Sequence, residues 1–257
     1  MADNKIRTGE LFAGIGGIGL GLEATGGFEV VWQVENDPYA TRVLEKNWPD
    51  ARRWDDVKTF PPEGESWDVD LITAGFPCTD ISNNGQRKGL QGEKSRLFYE
   101  IIRIAGIIKP RWLLLENVSA VLIRGIGAVL GEVATISGRD DTPHFRRMEY
   151  HCLPAASLGA PHRRDRFFLL ADSEGERIQE CRTSGEQVAE AHVRKEILMR
   201  CSAGAGRDQW AIEPELDRVA HGVRNRTHRI RCLGNAVVPQ VAEFFGQLIL
   251  DRIEHHD

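Results

Sequence analysis

Cys78 lies in the octapeptide Gly75-Phe76-Pro77-Cys78-Thr79-Asp80-Ile81-Ser82, directly after the apolar positions Val69, Leu71 and Ile72. That order predicts a buried strand whose carboxyl end opens into a loop stiffened by Pro77. In open α/β sheets this is the edge where ligands bind. A thiol held there is a candidate nucleophile, since the loop exposes its sulfur; a packing cysteine is the alternative reading. A second candidate is Glu116, which follows the continuously apolar Leu113-Leu114-Leu115 and precedes Asn117 and Val118. Desolvation against a hydrophobic sheet should raise the pKa of such a carboxyl. It could then carry a proton at neutral pH, although a loop-stabilising acid would occupy the same place. In Ala160-Pro161-His162-Arg163-Arg164-Asp165-Arg166, an extended segment would put Arg164 and Arg166 on one face. Paired donors of this kind fix a carbonyl oxygen or a phosphate, and a solvated charge run is the plainer alternative.

A third set of residues suits a nucleotide-like ligand. Gly14, Gly16 and Gly19 match G-x-G-x-x-G between a predicted strand and a predicted helix, a spacing that lets a backbone approach such a ligand closely. Glu35 ends the next predicted strand, where a carboxylate can accept from two ribose hydroxyls. That geometry serves NAD or S-adenosylmethionine equally well. Asp55 and Asp56, before Val57, offer a carboxylate for an adenine amino group, or a plain surface turn.

The elements that must position these groups follow from periodicity. Strands are predicted over 6–12, 28–34, 68–74 and 112–115, with two more over 149–153 and 166–170. Helices are predicted from Ile18 to Ala24, from Asp37-Pro38 through Leu44, and over 97–108. A last helix is predicted over 237–253, where Val241, Phe244, Phe245, Leu248, Ile249 and Ile253 share one side. Strands and helices alternating at this spacing predict an α/β domain: a doubly wound, mostly parallel sheet covered on both faces. The loop over 76–94 is long enough to suggest function rather than connection. From Asp172 to Ala211 the chain is polar and poor in large apolar residues, which predicts a small insert. The expected organisation is a domain over 1–171, a small region over 172–230, and a C-terminal helix over 231–257 that completes the first domain.

Bulk properties narrow the classes. The 257 residues are 41% hydrophobic, enough for one sizeable domain with an appendage. No run approaches the roughly 20 apolar residues that span a bilayer, and Met1 to Thr8 lacks the regions of a signal peptide. Five cysteines, at 78, 152, 181, 201 and 232, form no CxxC pair; structural zinc is not expected, and a reducing cytoplasm is the simplest compartment. The formal charge of −5 is not that of a protein that coats nucleic acid. The basic residues are clustered, however. Arg218 to Arg231 holds five arginines and two histidines without an acid, which suits contact with a polyanion along one face.

Leu11-Phe12-Ala13-Gly14-Ile15-Gly16-Gly17, Gly75-Phe76-Pro77-Cys78, Glu116-Asn117-Val118, Arg164-Asp165-Arg166 and Gly234-Asn235-Ala236-Val237-Val238-Pro239 occur in that order. Together they resemble the motif set of the DNA cytosine-5 methyltransferases of bacterial and phage type, from Leu11 to about Phe245. The resemblance implies a Rossmann-like, S-adenosylmethionine-dependent methyltransferase fold with a small target-recognition insert. It implies that Cys78 adds to C6 of a cytosine flipped out of duplex DNA, and that C5 then takes the methyl group. Glu116 would engage N3 and the exocyclic amine, Arg166 would hold O2 with Arg164 nearby, and Asn117 would support the cysteine loop. For the cofactor, Phe12 would face the adenine, Gly14 and Gly16 the methionine end, Glu35 the ribose and Asp56 the adenine amine, with Gly17 also in the binding set. Pro77 and Leu97 would line the pocket, and Asn235 and Val237 would close it. Ser82, Arg163, Arg224, Arg226 and Arg229 would meet the DNA. His162 departs from the glutamine common in that family, which puts only its own role in question. The protein is expected to be a monomer without a metal, with a cognate restriction endonuclease as a candidate partner. A tRNA cytosine-5 methyltransferase is the close alternative. An NAD-dependent oxidoreductase would leave Cys78, Glu116 and Arg166 without a task, and a silent DNA-binding protein would not need them.

Overall fold

The computed structural model describes residues 5–76, 96–138, 142–174 and 225–255. Their strands are β1 (Ile6–Leu11), β2 (Phe28–Val34), β3 (Arg52–Trp54), β4 (Leu71–Gly75), β5 (Trp112–Val118), β6 (Arg147–Pro154) and β7 (Asp165–Asp172). The helices are α1 (Gly17–Ala24), α2 (Pro38–Asn47), α3 (Arg96–Ile108), α4 (Val121–Arg124), α5 (Ile126–Ala134), α6 (Arg226–Asn235) and α7 (Pro239–Glu254). Among the described residues the sheet runs β3-β2-β1-β4-β5-β7-β6. The pairs from β3 to β5 are parallel, and β7 is antiparallel to both β5 and β6. The expected mostly parallel, doubly wound α/β sheet is therefore present. Its order reverses between β1 and β4, the switch point at which such sheets leave a crevice for ligands.

The continuous apolar runs exist because both faces are covered. In β5, Leu113 and Leu115 join one core with Ile101 and Ile104 of α3 and Val129 of α5. Trp112 and Leu114 join the other with Leu22 of α1 and Phe245 and Leu248 of α7. β7 divides in the same way, Phe167 and Leu169 to the first core and Phe168 and Leu170 to the second. α2 begins where its sequence says it should: Asp37 accepts from the backbone N–H groups of Tyr39 at 2.8 Å and Ala40 at 3.1 Å, and Pro38 supplies the first turn. No helix among the described residues is long and apolar enough to cross a membrane.

Several elements depart from the sequence expectation. β5 continues to Val118 rather than stopping at Leu115, because β7 pairs with it as far as Val118↔Arg166. β3, α4, α5 and α6 were not anticipated; each is short, or lacks a strong apolar stripe. The C-terminal helix expected over 231–257 is two helices. α6 ends at Asn235, Val238 is extended, and Pro239 opens α7, since proline is tolerated in a first helical turn and not in an interior. The boundary expected between 230 and 231 falls inside α6.

Two buried features under the first helix are sensitive to substitution. Gly21 lets α1 lie on the start of α7: a Cβ there would stand 2.0 Å from the Pro239 carbonyl oxygen. Alanine gains about 1 kcal/mol of helix propensity over glycine, but backbone cannot yield as a side chain can, so overpacking of about 1–3 kcal/mol dominates. Gly21→Ala should therefore lower the urea midpoint; an unchanged or higher midpoint would contradict this helix contact. Glu10 is buried in β1, accepting from the Gly19 N–H at 2.8 Å and from Gln33 Nε2 at 2.6 Å. Burial, opposed by these hydrogen bonds, pushes its carboxyl up to about 7. A folded-state pKa above the unfolded value means that the folded form takes up the proton. The associated stability is complete below the ordinary carboxyl pKa and is lost as pH rises to about 7. Unfolding free energy should thus fall between pH 5 and 7.5, and Glu10→Gln should reduce that fall by up to about 3 kcal/mol. Equal pH dependence in both proteins would contradict the assignment.

Candidate active site

At the carboxyl ends of β1, β4 and β5 a cavity of about 600 Å³ has three walls. The first is the turn after β1. Phe12, Gly14 and Gly16 have φ values of 55°, 58° and 80°, a conformation that glycine adopts without penalty. The Gly14 N–H donates to Glu35 Oε2 at 2.7 Å, and the Asp37 N–H donates to Glu35 Oε1 at 2.8 Å. Glu35 thus ties the turn to the start of α2. Burial raises its pKa, while the Gly14 N–H and the Arg231 charge act against the rise. Nothing lies within 4 Å of where a Gly14 Cβ would stand, whereas a Cβ on Gly16 would lie 2.3 Å from the Trp48 ring. Gly14 and Gly17 line the cavity; Gly16 faces the interior.

The second wall is the paired exit of β4 and β5. Gly75 is opposite Glu116 in the ladder, and a Cβ on it would be 3.2 Å from Glu116 Oε2, so the absent side chain leaves room for the carboxyl. Burial drives the Glu116 pKa up to about 7, against the opposing charges of Arg166 and Arg164. Arg166 Nε stands 3.0 Å from Glu116 Oε1. Asn117 donates from Nδ2 to the Phe76 carbonyl at 3.3 Å, while its Oδ1 accepts from the Val118 N–H at 2.7 Å. It therefore holds the backbone two residues before Cys78.

The third wall is the end of α6 and the link to α7, with Arg231, Cys232, Asn235 and Val237. Val237 is buried, and its carbonyl oxygen would lie 2.4 Å from a Gly17 Cβ, so this wall abuts the glycine turn.

The structure brings Phe12, Gly14, Gly17, Glu35, Glu116, Asn117, Arg166, Asn235 and Val237 to one cavity. It does not bring Asp56 there: that carboxylate accepts from the Lys58 N–H at 3.0 Å and caps the 3₁₀ turn Val57–Thr59. Asp55, with Trp54, instead lines an adjoining recess of about 560 Å³ that shares Glu35, Asn36 and Pro38 with the cavity. Leu97 packs against the core rather than lining the cavity. Arg164 and Arg166 do not share a face. Arg164 lies just before β7 with φ 40°, so the extended alternation fails there and its guanidinium turns to the carbonyls of Leu233, Gly234 and Ala236. Arg163 is exposed, 3.3 Å from Asp165. Arg226 and Arg229 are half-buried on α6. Cys78, Pro77, Ser82 and Arg224 lie outside the described residues.

Sequence reasoning missed Asp37 and Arg231, an ion pair beside the cavity, and the stacking of His228 on Tyr39 at 5.5 Å. By composition Arg231 and His228 belong to the basic strip suited to a polyanion, but both turn to the start of α2. The usable signal was Asp37, an acid at a helix start that can pair as well as cap. Glu10 was also missed, although a carboxyl inside an apolar strand is itself a signal.

Curated relatives match roughly two thirds of this chain. Type II methyltransferase M.Bsp6I of Bacillus sp. (strain RFL6) is 35% identical over 64% of this chain and 51% of its own length. Type II methyltransferase M.HhaI of Haemophilus parahaemolyticus is 33% identical over 63% of this chain and 47% of its own length. The chain thus spans about half the length of these relatives. Among solved structures, S. pombe Dnmt2 methyltransferase superposes with a TM-score of 0.62 over 97% of this chain and 99% of its own, at 15% identity, a likeness of fold. The model of the C-5 cytosine-specific DNA methylases matches residues 6–204. That match begins at β1 and passes through every strand of the sheet that builds the cavity, and on that ground the chain belongs to the C-5 cytosine-specific DNA methylase family.

Proposed function

We propose that the protein transfers a methyl group from S-adenosylmethionine to C5 of a cytosine flipped out of duplex DNA. The observation that carries this reading is the Glu116–Arg166 pair, 3.0 Å apart, in the wall of the cavity that also holds Glu35 and the glycine turn. A volume of about 600 Å³ is in the range of small-molecule sites. The residues present fit the cofactor. Gly14 offers open backbone at the turn. The Glu35 carboxylate accepts main-chain bonds, among them those from Gly14 and Asp37, and its two oxygens offer about four lone-pair sites, which leaves room for a ribose hydroxyl. Asn235 and Val237 border the same space, and the recess beside Trp54 and Asp55 suits the purine better than Asp56 does. When bound, S-adenosylmethionine supplies an electrophilic methyl group.

The chain's own groups do the rest. The Cys78 thiolate adds to C6, making C5 nucleophilic. Protonated Glu116 donates to N3 and so relieves the charge that the addition places on the ring. Arg166 donates to O2 and holds Glu116 in place. C5 takes the methyl group as the donor's sulfur–methyl bond breaks. The C5 proton then leaves to solvent water, the C6–sulfur bond breaks to return the Cys78 thiolate, and the N3 proton returns to Glu116, which restores the aromatic ring. Extruding the base costs a few kcal/mol. Exposed Arg163 and the region over 172–230, whose residues 175–224 lie outside those described, are our candidates for the DNA contacts that meet this cost. Because the relatives are type II methyltransferases, a cognate restriction endonuclease is the partner to seek.

Labelled-methyl transfer tests the substrate: incorporation into duplex DNA and none into tRNA is expected, and the reverse would favour the tRNA reading. Cys78→Ser should abolish transfer while leaving S-adenosylmethionine affinity within twofold; substantial turnover would remove Cys78 from the mechanism. The Glu116 carboxyl, pushed up to about 7, is protonated below that pH and loses its proton above it. The ratio kcat/KM should therefore fall above about pH 7. Glu116→Gln should lose that limb and run roughly 10²–10⁴-fold slower; a wild-type rate or an unchanged descending limb would contradict the proton role.

A further inference from the structure

Arg164 is the arginine of the Arg164-Asp165-Arg166 segment that does not face Glu116 within the cavity wall. Its Nη2 donates to the carbonyls of Leu233 at 3.1 Å and Gly234 at 2.8 Å, and also to that of Ala236. The first two are among the carbonyls that the end of a helix leaves without intrahelical partners, and a cation there also meets the negative end of the helix dipole.

The grip matters because of how α6 is held. None of its side chains is buried, and Ile230 and Leu233 are largely exposed, so apolar packing does little to fasten it. Its visible anchors are polar or aromatic. Arg231 pairs with Asp37, His228 stacks on Tyr39, and Arg164 holds the carboxyl end. The stretch so held carries Asn235 and leads to Val237, and Val237 abuts Gly17. Loosening the end of α6 would open the cavity on the cofactor side while leaving Glu116 and Arg166 in contact.

We propose that Arg164 is a positioning residue for the cofactor, its guanidinium tying the Leu233–Ala236 backbone, and with it the wall bearing Asn235 and Val237, to the start of β7. The proposal rests on the methyl-transfer reading above and departs from the role near the base that the family resemblance implies for Arg164.

Arg164→Met keeps length and removes the donors. It should raise the S-adenosylmethionine Kd and KM about tenfold while lowering kcat at saturating cofactor by less than threefold. Arg164→Lys, which keeps a cation, should recover part of the affinity and serves if the methionine variant folds poorly. Arg166→Met should show the opposite split, a large loss of kcat with Kd within threefold. In the ligand-free protein, hydrogen exchange at the Ala236 amide, which bonds to the Cys232 carbonyl at 2.9 Å, should quicken about tenfold in Arg164→Met. Unchanged Kd together with unchanged exchange would overturn the proposal, whatever happens to kcat. If the wild-type protein bound no S-adenosylmethionine, the methyl-transfer reading would fail, and the exchange measurement would still decide whether the clamp exists.

Discussion

At the carboxyl end of β5 a carboxyl group has been taken out of water and set against a guanidinium, Arg166 at 3.0 Å from Glu116, with the charge of Arg164 also acting on it. Burial disfavours the charged carboxylate and a neighbouring cation favours it. Here burial prevails, and the group titrates near neutrality. Much of the surrounding structure can be read as what this contact requires. β7 must enter the sheet antiparallel, beside β5, to bring Arg166 opposite Val118. β4 ends in a glycine, and a Cβ at 75 would stand 3.2 Å from Glu116 Oε2, so the carboxyl would have to shift to make room. Asn117 turns its side chain back to the Phe76 carbonyl, which steadies the backbone two residues before Cys78.

The other half of the cavity is organised differently. Glu35 is a hub for backbone donors, joining the turn after β1 to the cap of α2. The helices that close this side divide by the way they are held. α7 buries Val241, Phe245, Leu248 and Ile249 in the core beneath α1, and the absence of a side chain at Gly21 lets the two helices meet. α6 buries no side chain, and its contacts include those with Asp37, Tyr39 and Arg164. Elements with few buried apolar contacts open locally at lower free energy than the core. The cavity thus has one wall built into the sheet and another attached to it by polar contacts, an arrangement that suits a site through which a ligand must enter and leave.

Residues 5–76 and 96–118 were largely legible because their patterns are local. Gly14 and Gly16 mark a turn that only certain backbones can make, Asp37-Pro38 marks a helix start, and the apolar run before Glu116 marks a strand buried on both faces. Chemical types at strand ends also carried far: a carboxyl after Leu113-Leu114-Leu115 could be expected to hold its proton, and burial raises its pKa as that placement implied. Such features depend on nearest neighbours in the chain and on burial, both of which are written into hydrophobic periodicity.

Tertiary structure alone decided which distant groups meet. Arg164 and Arg166 look equivalent in an extended segment, yet a single positive φ at Arg164 sends one to backbone carbonyls and the other to a carboxylate. Asp55 and Asp56 are adjacent acids; the 3₁₀ turn consumes the second in a cap and leaves the first beside the ligand-sized recess. Arg231 belongs by composition to a basic strip, but folding faces it to Asp37, 194 positions earlier in the chain (231 − 37). Composition and spacing specify what a side chain can do, whereas its partner depends on backbone angles and on contacts made after the elements pack, and these leave no periodic trace in the sequence.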